Sequence, residues 1–208
     1  EDTEVRTHFI EELCDVMMYF NDVMLCYDIS IEEYLYTVYT PLFQKENEMN
    51  ELYEYQLESY FDQAIKYNGA TGYAFPTIAA SGKNACCLHY VDNDCKALNG
   101  DLILFDLGAS YNMYCADISR TFPVSGKFTE RQKVLYNIVL EAQKVAMENT
   151  KPGITTKELN QIVINFYAKA LKEIGLIKED KEVLKYYYHG VSHHMGLECH
   201  DLCDYTPL

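Results

Sequence analysis

Asp101-Leu102-Ile103-Leu104-Phe105-Asp106-Leu107-Gly108-Ala109, followed by Tyr114-Cys115-Ala116-Asp117-Ile118-Ser119-Arg120-Thr121-Phe122-Pro123, reads as the two arms of a β-hairpin spanning 101–123. Alternation along the first arm sends Leu102, Leu104 and Asp106 to one face and Ile103, Phe105 and Leu107 to the other. An acid therefore interrupts an apolar face. A buried lone carboxylate is costly unless a cation or hydrogen bonds compensate it. A turn near Gly108–Asn112 would bring Asp117 opposite Asp106. Singly, each aspartate is equally readable as a turn, cap or surface acid. As a pair in an apolar setting they can bridge divalent ions, which polarise carbonyls and acidify water.

About eighty residues downstream, His189-Gly190-Val191-Ser192-His193-His194-Met195-Gly196-Leu197-Glu198-Cys199-His200-Asp201 holds four of the six histidines in the chain. Neutral imidazole is the commonest protein ligand for a divalent metal. A helix would put 189 and 193 on one face, but Gly190, Val191 and Gly196 favour strand and turn, with 189, 191 and 193 aligned. Either geometry lets one imidazole bind metal while another meets substrate. Carboxylates mixed with imidazole suit Mn²⁺, Co²⁺ or Zn²⁺ better than Mg²⁺ or Ca²⁺. Ser192 or Cys199 beside histidine suggests a rival serine or cysteine hydrolase. The sequence has no GxSxG elbow, however, and adjacency in sequence does not make a triad. Glycine-rich phosphate loops are also missing, which argues against nucleotide binding.

The 208 residues are 49% hydrophobic with a net charge of -15, enough for one sizeable core and a poor match to nucleic acid, which draws on clustered basic side chains. The expectation is one globular domain with no nucleic-acid partner. No stretch approaches the roughly 20 apolar residues that span a bilayer, and the start Glu1-Asp2-Thr3-Glu4 is not a basic signal-peptide region. These features point to a soluble, cytosolic protein without membrane contacts. The eight cysteines form no CxxC pair and are expected to be reduced and mostly packed. A first residue other than Met and an ending at Tyr205-Thr206-Pro207-Leu208 suggest a piece of something longer.

Helical periodicity is clearest over 156–174, through Leu159, Ile162, Val163, Phe166, Tyr167, Ala170, Leu171 and Ile174, with Gly175 as the stop. Thr155 and Glu158 have capping-box spacing. A second helix is expected over about 130–148 on Leu135, Ile138, Val139, Ala142, Val145 and Ala146. Laying 51–69 on 157–175 matches Leu57 with Val163, Tyr60 with Phe166, Ala64 with Ala170 and Gly69 with Gly175, which suggests a duplicated helix-plus-sheet half. Residues 1–48 read as an acidic helical segment of unassigned role, with helices from Phe9 to Leu25 and from Ile31, ahead of a catalytic domain at 49–208.

Several strings together resemble the Xaa-Pro aminopeptidase and prolidase branch of the methionine-aminopeptidase-like metallopeptidases. They are Leu88-His89-Tyr90, Gly100-Asp101-Leu102, Asp106-Leu107-Gly108-Ala109, the run Asp117–Thr129 and His189-Gly190-Val191-Ser192-His193. The resemblance runs from about Met49 to Leu208. It implies an α+β "pita-bread" fold of two related halves, each with helices on a curved, mostly antiparallel sheet. By position, Asp106 resembles the bidentate ligand of one metal, Asp117 the ligand bridging both, and His193 the imidazole ligand of the other. His89, His189 and His200 resemble the pocket histidines that bind substrate and steady the tetrahedral intermediate. His194 matches no assigned role.

The resemblance implies an aminopeptidase with two divalent ions, manganese by preference and cobalt or zinc otherwise, acting on peptides with proline in second position. Prolidase activity on Xaa-Pro dipeptides is one alternative, and an inactive peptide- or protein-binding module is another. A homo-oligomer is compatible with the family. The family completes its site with two glutamates, the first in a Glu-Pro-Gly about twenty residues past the last histidine. The chain ends at Leu208, before both, so three of five protein ligands and an incomplete, weakly stable sheet are expected.

Overall fold

The computed structural model describes residues 52–187, 189–194 and 196–202. The helices expected within residues 1–48 lie outside the described residues. The described residues form two compact units: 52–129 with 196–201, and 130–194 with Leu202.

The first unit opens with α1 (Glu54–Tyr67), whose Leu57 and Ala64 are buried at helical spacing. The side chain of Gln56 turns back to accept the Tyr53 N–H at 2.8 Å, satisfying a donor that the first helical turn leaves over. Six strands follow: β1 (Gly72–Tyr73), β2 (Ile78–Ser81), β3 (Leu102–Leu107), β4 (Ala109–Tyr111), β5 (Tyr114–Cys115) and β6 (Ile118–Pro123). They form two three-stranded antiparallel sheets, ordered β2-β3-β6 and β1-β4-β5. The alternation expected of β3 is observed: Ile103 and Phe105 are 1% and 2% exposed and pack with Leu57, Ala79, Ala97 and Val124. Burying each of these two side chains stabilises the unit by about 1.5–3 kcal/mol. Asp106 is thereby held on the face away from this core.

The expected hairpin is broken into two steps. At Gly108 the chain passes from the β2-β3-β6 sheet to the β1-β4-β5 sheet, and a Cβ there would strike the Ala116 carbonyl and the Phe75 ring. The reversal lies at Asn112 (φ 48°) and Met113 (φ 73°), between the paired Tyr111 and Tyr114, and not across Gly108–Asn112. Two successive left-handed residues match the twist of a tight two-residue hairpin. This later turn sets the register, placing Ser119 rather than Asp117 directly across from Asp106.

The second unit contains α2 (Glu130–Asn149) and α3 (Thr156–Glu173), within a residue of the expected limits. The capping box is formed: Glu158 N–H donates to Thr155 Oγ1 at 3.2 Å, and Thr155 N–H donates to Glu158 Oε2 at 2.9 Å. Ala142 and Ala146 of α2 meet Leu159 and Val163 of α3, small against large. Among the described residues this unit has no strand, so the duplication is visible only in its helices. There it extends to the caps. Ala70 N–H donates to Ile65 O and Leu176 N–H to Leu171 O, both at 2.9 Å, beside Gly69 (φ 78°) and Gly175 (φ 70°). The left-handed turn explains both glycines.

No described helix is long and apolar enough to cross a membrane. The described cysteines are free thiols, as expected, but Cys86, Cys87 and Cys95 are exposed rather than packed.

Candidate metal centre

Asp106 and Ser119 face each other across β3 and β6, and Ser119 Oγ donates to Asp106 Oδ1 at 2.7 Å. Asp117 lies two residues before Ser119, on the same face by alternation. Its carboxyl comes within hydrogen-bonding reach of Asp106. Burial pushes the Asp106 carboxyl above the usual carboxylate range, and the negative charge of Asp117 pushes it further; the Ser119 hydroxyl and the nearby His89 oppose the rise. An acid whose proton affinity is raised by burial and by a neighbouring acid marks a site short of positive charge.

The segment 196–201 completes the first unit's share of the site. Cys115 N–H donates to the Gly196 carbonyl at 2.7 Å, and Leu197 N–H donates to Asp201 Oδ2 at 3.2 Å. Gly196 has no room for a Cβ against the Asp201 carboxylate, so the turn closes tightly. One donor atom each from Asp117, Cys199 and His200 lies within 4.8 Å of the others. The Cys199 thiol donates to Asp117 Oδ2 at 3.3 Å, and its pKa is pushed up to about 12 by burial and by that hydrogen bond. At neutral pH it is a thiol, which removes it as a nucleophile.

His89 sits in the loop between β2 and β3 with φ 56°, exposed, and close enough for its charge to act on Asp106. The first unit thus brings together Asp106, Asp117, His89 and His200 of the six residues expected in the site. The other two, His189 and His193, belong to the second unit. There Asn160 Oδ1 accepts from Tyr187 Oη at 2.7 Å and from Val191 N–H at 3.2 Å, tying the histidine segment to α3. The segment is neither the helix nor the strand considered from sequence. His193 Nδ1 contacts the His194 carbonyl at 3.1 Å and His189 Nδ1 the Gly190 carbonyl at 2.9 Å. A carbonyl only accepts, so each contact is a hydrogen bond when Nδ1 carries a proton, the tautomer that in a neutral ring leaves Nε2 as the acceptor. His194 is exposed.

Sequence reasoning missed two members of the site. Ser119 shares the alternation of Asp117 and would have been found from the correct register. Cys199 was weighed only as a nucleophile, although its place beside His200 put it near any ligand in that segment.

Residues 34–207 match the model of metallopeptidase family M24, and the chain belongs to that family. The match begins inside the segment 1–48. The Xaa-Pro aminopeptidase of Escherichia coli K12 is 37% identical over 158 residues, which cover 73% of this chain and 36% of that protein. Among solved structures, the proline aminopeptidase P II from Yersinia pestis superposes with a TM-score of 0.74 at 35% identity, covering 83% of this chain and 41% of that one. The Zn-substituted E. coli aminopeptidase P in complex with product gives 0.73 at 34% identity, covering 83% of this chain and 40% of that one. The fold is therefore the α+β pita-bread fold of aminopeptidase P. The chain spans little more than a third of the length of the curated relative.

Proposed function

We propose that this chain supplies part of the dinuclear metal centre of an aminopeptidase that releases the N-terminal residue preceding a proline. The observation that carries the reading is the Asp106–Asp117 pair: two carboxyls held together on one sheet face, one already strained toward protonation. The donor set fits divalent ions, because a cation relieves both the burial of Asp106 and its repulsion by Asp117. Asp106, Asp117 and His193 are the residues assigned as metal ligands, with Mn²⁺ favoured by this mix of oxygen and nitrogen and Co²⁺ or Zn²⁺ as substitutes. Bound there, the metal supplies Lewis acidity toward the peptide carbonyl and lowers the pKa of water.

The remaining side chains orient and stabilise. His89 and His200 are assigned to the substrate and to the developing oxyanion, where a donated N–H gains strength as charge accumulates. His189 is likewise assigned to the substrate. The relatives named Xaa-Pro aminopeptidase support a substrate with proline in second position. The domain limits read from sequence, a segment 1–48 ahead of a catalytic domain at 49–208, are part of this proposal. The test is hydrolysis of an Xaa-Pro-Xaa tripeptide and an Xaa-Ala-Xaa control by the protein that carries this chain, with Mn²⁺ added. Proline-dependent release of the first residue is expected; equal cleavage of both peptides, or of neither, refutes the reading.

A further inference from the structure

One fully buried carboxylate has no part in the metal centre. Glu54, the first residue of α1, is 0% exposed and accepts five hydrogen bonds. Ser81 N–H (2.6 Å), Ser81 Oγ (2.7 Å) and Asn84 Nδ2 (3.1 Å) donate to Oε1; Tyr90 Oη (2.7 Å) and Cys95 N–H (3.0 Å) donate to Oε2. The donors fall into two groups. Ser81 and Asn84 begin the loop that leaves β2; Tyr90 and Cys95 end it. His89 lies between them, next to Tyr90, in a left-handed conformation that a residue with a Cβ adopts only when its surroundings impose it. A second side chain on the same helix, Glu58, helps: its Oε2 accepts at 2.9 Å from Nδ2 of the loop residue Asn93, buried and also left-handed (φ 47°), which donates as well to Thr77 O at 2.9 Å and accepts the Ala79 N–H at 2.9 Å.

Glu54, Asp94 and Cys95 are near enough to suggest a cation site, but the Glu54 oxygens are already committed to five donors. We infer that Glu54 is a positioning residue for His89: its buried carboxylate fastens both ends of the loop 82–94 and so holds the imidazole near Asp106. Burial alone would raise the Glu54 carboxyl, yet the hydrogen bonds from Ser81, Tyr90 and Asn84 bring it below its usual value, so it is an anion over the working pH range. Only an acceptor on both oxygens serves all five donors. Glutamine would turn an N–H₂ toward either Cys95 N–H and Tyr90 Oη or toward Ser81 N–H and Asn84 Nδ2, and the backbone N–H groups cannot reverse their role.

The inference rests on the proposed function, in which His89 contacts substrate, and its test separates the two. Glu54→Gln, His89→Ala and the double variant are compared in the protein that carries this chain. Expected are a kcat for Glu54→Gln lowered at least tenfold with KM changed less than threefold, and a double variant no slower than His89→Ala. A merely structural effect would multiply with the His89 change, and independent losses of that kind overturn the inference. Amide exchange across 83–94 is measured in parallel and needs no activity: tenfold faster exchange in Glu54→Gln, with α1 beyond its first turn unchanged, is expected, and an unchanged loop overturns the inference. Should the unaltered protein cleave no Xaa-Pro peptide, the function falls while exchange and the His89 ring resonances still decide the positioning. Tyr90→Phe, which deletes one donor, should shift the same observables less; if Glu54→Gln does not fold, an unmoved loop and His89 resonance in Tyr90→Phe overturn the inference.

Discussion

Replacing Asp106 with asparagine should stabilise the metal-free protein while abolishing its stabilisation by metal. The Asp106 and Asp117 carboxyls lie within hydrogen-bonding reach. Two like charges about 4 Å apart repel by roughly 1 kcal/mol in water and 4 kcal/mol at a surface-like dielectric. Asp106 is only half-buried, so a relief of about 1 kcal/mol is the reasonable expectation after screening. Asparagine keeps an oxygen for the Ser119 hydroxyl, which limits the opposing loss. For a chain of this size, about 1 kcal/mol corresponds to a rise in Tm of roughly 2–4 °C. Saturating metal should reverse the order, because a ligand at 100 times its Kd stabilises the folded state by about 2.7 kcal/mol and the variant lacks that ligand.

The pH dependence has a definite sign. The folded Asp106 carboxyl titrates above its unfolded value, so the folded state holds the proton more tightly through that window. Stability from this group is complete below the unfolded pKa and is lost as pH rises through the folded one. The advantage of Asp106→Asn in EDTA should therefore shrink on acidification. Thermal unfolding in EDTA and in Mn²⁺, at pH 4 to 8, checks all three expectations. A variant less stable than wild type in EDTA at neutral pH, or one that gains as much from Mn²⁺, refutes the reasoning.

Gly108→Ala should cost about 1–3 kcal/mol, since its Cβ meets the Ala116 backbone oxygen as well as the flexible Phe75 ring; urea denaturation gives the value, and a neutral effect contradicts the close approach. Cys199 should react with iodoacetamide at least tenfold more slowly than the exposed Cys86, and Asp117→Asn, which removes the charge that disfavours its thiolate, should speed it; mass spectrometry of the two peptides reads both rates.

Legibility in the sequence followed the range of the interactions. The helices were legible because their signals are local: a stripe at helical spacing, a capping box at 155–158, and a glycine past the last turn at 69 and 175. The pairing of the two acidic strands was legible because Asp106 disturbs an otherwise apolar alternation. Their register was not, because Asn112-Met113 lacks the glycine that usually marks a two-residue reversal, and Gly108 answers to a steric demand from Phe75 and Ala116. Glu54 carried no signal at all. Its partners lie 27 to 41 residues away, and each is an ordinary loop residue until the fold gathers them. Asp106, Asp117 and the histidine segment stood out from their own patterning, whereas His89 and the separate role expected of each residue came through family strings, which encode chemistry that no local propensity shows.

The most direct test of the account is the metal content of the purified protein after dialysis against Mn²⁺, measured by elemental analysis for wild type and for Asp117→Asn. Asp117 is the residue proposed to serve both ions, so the account predicts about two equivalents in wild type and fewer than half an equivalent in the variant. Equal metal in both proteins would contradict the assignment of the Asp106–Asp117 pair as the metal centre.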